Sequence, residues 1–304
     1  MTNKPLIAAA RARHSRAVGN AAFRVPNAPE GDGGSTGPIA LPHWMKSVIG
    51  RFPRQLQQEL RRVRYRRQLR SSIFFGDPEP ECAHLGDWVA EGDWVADVGA
   101  HVGGYTVLLS QLVGESGRVL AFEPVPDTFE LLAANLAFLE LRNVSLFNVA
   151  VSVNSALMPL TIPLHRSGIP DFCFARLTST SAVPYDPKAN FNVFTLALDA
   201  LVIPQRVTLV KVDVEGHELM ALRGMEQLLR RDRPRLIVEC ATPDIYSFLG
   251  DFGYEGLHLP HSPNHVFSTN RVTHLRPLPS RFPNRLPGTH ERRRSGRCGA
   301  SRTR

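Results

Sequence analysis

Trp94-Val-Ala-Asp-Val-Gly-Ala-His-Val-Gly-Gly-Tyr-Thr106 decides how this chain is read. Its first five residues, Trp94 to Val98, form an apolar run too short for a helix and suited to a buried parallel strand. Gly99, Gly103 and Gly104 follow as a turn where backbone can approach a ligand closely. Thr106 to Val113 then reads as a helix. Strand, glycine turn and helix N-terminus together make a place for a nucleotide-like ligand. Asp97 puts a carboxylate at the strand's carboxyl end, which suits a cationic or hydrogen-donating group and repels a pyrophosphate. The spacing Gly99-x-x-x-Gly103 also differs from the Gly-x-Gly-x-x-Gly of dinucleotide sites, and no P-loop Gly-Lys-Ser/Thr follows.

Outward from this stretch the pattern alternates. Strands are predicted over 94–98, 118–122, 143–151, 207–213 and 235–239, with two more at 254–259 and 265–268. Helices are predicted over 104–113, 127–141 with Asp127 as its cap, 218–231 and 244–252. Such alternation predicts an α/β fold with a doubly wound, mostly parallel seven-stranded sheet, its last two strands forming an antiparallel edge hairpin. Ligands of such sheets bind beyond the carboxyl ends of the strands, where strand order reverses. Residues 153–194 break the rhythm and read as short antiparallel strands or a loop inserted at that edge.

Charge divides the chain into parts. Residues 94–270 carry 12 Lys/Arg against 18 Asp/Glu, whereas 1–93 carry 14 against 9 and 271–304 carry 10 against 1. The formal net charge of +8 therefore comes from the two ends, and a uniformly basic nucleic-acid surface is excluded. We expect 1–42 to be a disordered leader, though its lack of acids up to Pro29 also fits a transit peptide. Residues 43–93 read as an accessory basic helical segment, 94–270 as the main domain and 271–304 as a disordered Arg-rich tail. Leu56, Leu60, Val63 and Leu69 lie at helical spacing among eight arginines between Arg51 and Arg70. That helix is expected to pack on the core with a solvated face; docking onto a membrane surface or nucleic acid, or closing over an acidic site, are the alternatives. No apolar run reaches membrane-span length. The scattered Cys82, Cys173, Cys240 and Cys298 form no zinc pattern and read as reduced thiols in a cytoplasmic protein.

The chemistry gathers at strand ends. Asp97, Glu123, Asp213 and Glu239 all fall there, a costly crowding of like charge unless it meets water or a ligand. Glu123 follows Gly103 by 20 residues, the separation at which an acidic residue takes a ribose diol.

Asp97-Val-Gly-Ala-His-Val-Gly-Gly-Tyr-Thr106, Ala121-Phe-Glu-Pro124 and Lys211-Val-Asp-Val-Glu-Gly-His-Glu218 together resemble the FkbM-type methyltransferases, over residues 94–270. The third segment, followed by Leu219-Met-Ala-Leu-Arg-Gly224, is the most specific. The resemblance implies a Rossmann-like methyltransferase fold and S-adenosylmethionine as cofactor. Asp97 with Gly99, Ala100, His101 and Gly103 would receive its methionine part, and Glu123 would accept from its ribose hydroxyls. Tyr105 and Thr106 would line it. His101 departs from the Asn of the family pattern.

Methyl transfer to a hydroxyl requires in-line placement and removal of a proton. Alternation along an extended strand would turn Asp213, Glu215 and His217 toward one pocket. Asp213 is the candidate to contact cofactor or acceptor, and His217 or Glu215 the candidate base. Lys211 is expected to pair with a neighbouring carboxylate. Asp213, Glu215 and His217 are also ligand types for a hard cation, but nothing fixes a coordination set and no metal is expected. The function expected is O-methylation of a hydroxyl on a small molecule or sugar, in natural-product or glycan biosynthesis. The alternative is a catalytically weak module of the same fold that binds nucleic acid or membrane through its Arg-rich arms.

Overall fold

The computed structural model describes residues 52–70, 79–163, 175–177 and 190–270. The expected disordered leader and tail, and parts of the accessory segment and of the insertion, lie outside these residues. Helix α1 (Arg54–Arg70) comes first, then a 3-10 turn (Pro80–Ala83) and the short α2 (Leu85–Trp88). The alternating core follows as β1 (Trp94–Val98), α3 (Gly104–Val113), β2 (Arg118–Phe122), α4 (Pro126–Phe138) and β3 (Val144–Phe147). Four short strands come next: β4 (Ala150–Val151), β5 (Ala156–Thr161), β6 (Arg176–Leu177) and β7 (Asn190–Leu196). The chain then returns through β8 (Val207–Val212), α5 (Glu218–Arg223), α6 (Glu226–Asp232), β9 (Arg235–Glu239), α7 (Pro243–Gly250), β10 (Glu255–His258) and β11 (Asn264–Ser268).

The seven-stranded sheet has the order β10-β11-β9-β8-β1-β2-β3. Strands β9, β8, β1, β2 and β3 run parallel, and β10 and β11 form the antiparallel edge hairpin. From β1 the chain steps outward to β3, then crosses back to β8 on the other side of β1. Strand order therefore reverses between β1 and β8, and their carboxyl ends define the ligand edge.

Apolar residues on both sheet faces explain why these strands read as continuous hydrophobic runs. Ala96, Val98, Phe122, Val210, Val212 and Val238 bury one face against α5, α6 and α7. Val95, Val119, Leu209 and Ile237 bury the other against Leu85 of α2 and Leu109 and Val113 of α3.

Several expected boundaries move, each for a local reason. The strand expected over 143–151 is two: β3 ends at Phe147, and β4 pairs with β7 in a separate four-stranded sheet of order β4-β7-β5-β6. At the break, Asn148 Nδ2 donates to the Glu123 and Pro124 carbonyls (2.8 and 3.2 Å), which turns the chain out of the main sheet. The helix expected over 218–231 is broken between α5 and α6, because the Gly224 backbone packs on the Ser152 carbonyl. A Cβ there would lie 1.9 Å from that oxygen. Asp127 is not a cap; α4 starts at Pro126, and Asp127 Oδ1 accepts from Gln58 of α1 (2.9 Å).

Candidate active site

β1 and β8 are register neighbours, with Asp97 opposite Lys211. Their exits are stitched where the Asp213 N–H donates to the Val98 carbonyl (3.0 Å). Gly99, at φ +83°, passes so close to this junction that a Cβ would fall 1.7 Å from the Asp213 carbonyl oxygen. Only glycine fits both that backbone region and that gap.

His101 also has a left-handed φ, 48°. Asn and His are among the side chains that tolerate this region best, so a His where the resemblance implies an Asn preserves the turn. The turn in turn fixes Glu123: its Oε2 accepts from the His101 N–H and its Oε1 from the Val125 N–H, both at 2.9 Å. Burial nevertheless pushes the Glu123 carboxyl up to about 7, the two amides opposing it.

Asp97 is wholly buried. Its Oδ2 accepts from the Thr106 hydroxyl (2.6 Å), while Oδ1 has no protein partner. Burial raises its pKa against the pull of Lys211 and Thr106. Lys211 Nζ bonds Asp213 Oδ2 at 2.7 Å, the expected pairing. Burial works against this ammonium, yet Asp213 and Asp97 outweigh it and keep Lys211 charged. Burial likewise works against the Asp213 carboxylate, but Lys211 and a hydrogen bond shared with Glu239 hold it below the usual range. Burial and that shared bond push Glu239 up to about 8.

Asp213, Glu215 and His217 do line one cleft, together with Gly99, His101 and Glu123. The expected reason is corrected: β8 ends at Val212, and Glu215 (φ 53°) and Gly216 (φ 92°) form a left-handed turn rather than an extended continuation. Val149, Val151 and Leu160 of the second sheet region close the cleft with an apolar wall. Asp97, Ala100, Gly103, Tyr105 and Thr106 lie behind the lining. Tyr105 in particular is committed elsewhere: its hydroxyl donates to Glu79 Oε2 (2.5 Å) and meets Glu81, and its ring lies 4.7 Å from Lys211 Nζ.

Four residues, Ser152, Glu79, Glu81 and Asn264, escaped the sequence reading, as did the partner of Glu239. Ser152 Oγ lies 2.9 Å from His217 Nε2. Glu239 was placed at a strand end but not paired with Asp213. Glu79 and Glu81 meet the Tyr105 hydroxyl and both accept from Asn264 Nδ2; the only sequence signal of the two acids was their spacing just before β1. One carboxylate oxygen each from Asp213, Glu215 and Glu239 lie within 4.8 Å of one another, a set able to hold a hard cation. It replaces the Asp213, Glu215 and His217 set considered from sequence, because His217 meets Ser152.

The donor set fits S-adenosylmethionine. Its methionine ammonium and sulfonium are cations, the edge between β1 and β8 concentrates carboxylates, and the orphaned Asp97 Oδ1 is an acceptor still to be satisfied.

Known proteins are similar to this chain. The hexuronic acid methyltransferase AglP of Haloferax volcanii is 30% identical over 144 residues, 46% of this chain and 53% of that protein. The methyltransferase sdnD of Sordaria araneosa is 24% identical over 191 residues, 53% of this chain and 73% of that one. The match thus spans about half the length of the first relative. A crystal structure of methyltransferase FkbM from Methylobacillus flagellatus is 17% identical, with a TM-score of 0.42 over 59% of this chain and 43% of that one. Residues 97–255 match the methyltransferase FkbM domain. That span is more than half of the 304 residues, and the chain belongs to the FkbM methyltransferase family.

Proposed function

We propose that this chain is an S-adenosylmethionine-dependent O-methyltransferase of the cytoplasm, acting on an uncharged hydroxyl of a small molecule or sugar. The observation that carries the reading is the carboxylate-rich junction of β1 and β8, with Glu123 held on two backbone amides beside it. The Gly99–Gly103 turn, through Gly99 and His101 on the cleft wall, would hold the methionine part of the donor, with Ala100 and the buried Asp97 supporting it from behind. Thr106 orients Asp97, and Tyr105 supports the same helix start from behind. Glu123 would accept from the ribose hydroxyls.

Bound there, S-adenosylmethionine supplies an electrophilic methyl group on sulfur. The chain's own residues must place the acceptor in line and remove its proton. Desolvation lowers the His217 pKa, so its ring is neutral near pH 7. In the tautomer that donates Nε2–H to Ser152 Oγ, Nδ1 would be the base that takes the acceptor proton. Asp213, fixed by Lys211, would orient the acceptor hydroxyl, with Glu215 beside it.

The acidic cleft also bears on the acceptor. AglP is named for a hexuronic acid, but the described lining of this cleft carries Glu123 and Glu215 and no Lys or Arg that could pair with a carboxylate. A neutral sugar or alcohol fits better, its apolar face against Leu160 and Val151. No metal enters this scheme: Asp213 is neutralised by Lys211 and shares a hydrogen bond with Glu239. Transfer should therefore persist in a chelator.

Calorimetry with S-adenosylmethionine tests the donor site. Wild type should bind, and Asp97→Ala and Glu123→Ala should each weaken binding at least about tenfold, the scale of one lost charge-assisted hydrogen bond. Undiminished binding in both sinks the assignment. Labelled methyl donor offered with neutral glycosides and with uronates should mark the former.

A further inference from the structure

Helix α1 is mounted with its polar side inward. Gln58 donates to Asp127 and Arg62 bonds Glu130, both on α4. These anchors lie on one side of the helix. Leu56, Leu60 and Val63, at spacings of four and three, fall within an arc of about 60° on the opposite side. They are 45%, 40% and 61% exposed, and Phe52 just ahead of the helix is 39% exposed. An apolar stripe turned to water is unfavourable unless something covers it. The helix thus packs on the body and keeps a solvated face, but it packs through its polar side and the apolar stripe is the solvated one.

The surroundings of the stripe say what covers it. The helix sequence Arg54–Arg70 contains seven arginines and one glutamate. The stripe is flanked by the exposed Arg64 on one side and on the other by Glu59, whose charge is paired with Arg62. On so arginine-rich a helix this matches a bilayer interface, the stripe entering the acyl boundary while the Arg64 guanidinium meets anionic headgroups. Nucleic acid would satisfy the arginines and leave Leu56, Leu60 and Val63 in water, so charge and apolarity together favour lipid.

We infer that the outer face of α1 is a docking surface for an anionic membrane, holding the methyltransferase body at the bilayer through α4. This reading is independent of the proposed reaction, since α1 contributes nothing to the cleft lining.

Flotation of the full-length protein with phosphatidylcholine vesicles, with and without phosphatidylserine, tests it. Wild type should partition onto the anionic vesicles, and added salt should release part of it. Leu56→Gln/Leu60→Gln/Val63→Gln should lower the partition coefficient about tenfold or more, as expected for three lost apolar insertions. Its melting temperature and donor binding should be unchanged, because the replaced side chains point away from α4. Should that variant misfold, Arg64→Gln serves instead, with a smaller loss confined to anionic vesicles.

Three outcomes overturn the inference. One is no partition of wild type, and another is equal partition of wild type and variants, which would assign binding to other arginines. The third is retention on an RNA homopolymer or a doubled mass in light scattering, lost in the variant, without vesicle binding. Those would make the stripe a nucleic-acid face or a contact between two copies.

Discussion

At the residue scale, the site stores a conflict between stability and function. Glu239 has its pKa pushed up to about 8 by burial and by Asp213. A carboxyl whose folded pKa lies above its unfolded value stabilises the fold below the unfolded pKa, and that contribution is lost as pH rises through the folded value. Between about pH 4.5 and 8 the fold should therefore lose stability from this group. Glu239→Gln, which keeps a donor toward Asp213, should melt higher than wild type at pH 9, with the gain shrinking toward pH 5. A melting difference independent of pH would show that Glu239 and Asp213 do not share a proton. The His217–Ser152 contact makes a second prediction. Ser152→Ala should reduce methyl transfer about tenfold or more, the usual range for a mispositioned general base, with donor affinity unchanged. The nitrogen shifts of His217 should report a changed tautomer balance, which a loss of packing alone would not produce.

At the scale of elements, close backbone crossings hold the site together. Gly224 has its hydrogen-bearing face against the Ser152 carbonyl, so it joins the α5–α6 break to the start of the second sheet, directly behind His217. Gly224→Ala should destabilise the fold by about 1–3 kcal/mol, the range of an overpacked core position, seen as a lower denaturant midpoint at unchanged slope. This contact also marks where sequence reading stops. The strand-turn-helix at Trp94–Val113, the parallel run at β8 and β9 and the edge hairpin were legible because each is a local pattern of apolar period and glycine. The α5–α6 break was not, because residues 218–231 satisfy helical periodicity and only a partner 72 positions earlier in the chain (Ser152 against Gly224) interrupts it. Asp213, Glu215 and His217 were brought together as expected but by a left-handed turn, since positive φ at Glu215 has no local signature in a non-glycine residue. The Glu79–Tyr105–Asn264 network was illegible for the same reason as Gly224: its members are distant in sequence and each alone is an ordinary polar residue.

At the scale of the whole molecule, charge is partitioned with the work. The body that carries the cleft is acidic, which suits a cationic donor, while the positive excess lies in residues 1–93, α1 included, and in residues 271–304. The architecture of the body closes before that tail begins. Val266 and Phe267 of β11 are buried, β11 lies between β9 and β10, and the Asn270 N–H donates to Ser268 Oγ (3.2 Å). Deleting residues 271–304 removes ten arginines and one glutamate, taking the net charge from +8 to −1. So large a change alters the long-range field but leaves the buried pairs untouched, because interactions between exposed charges are screened within about 8–10 Å at ordinary ionic strength. In the Lys211–Asp213 pair the lysine is buried and the two groups touch at 2.7 Å, so their mutual attraction outweighs any distant charge. The shortened chain should bind S-adenosylmethionine within about twofold of full length, below the factor of ten that a lost contact of about 1.4 kcal/mol would bring. Its melting temperature should likewise be preserved, and calorimetry and thermal unfolding at 150 mM salt check both. A drop in donor affinity beyond tenfold would mean that the tail reaches the cleft, and would move acceptor or donor recognition from the sheet edge to the arms.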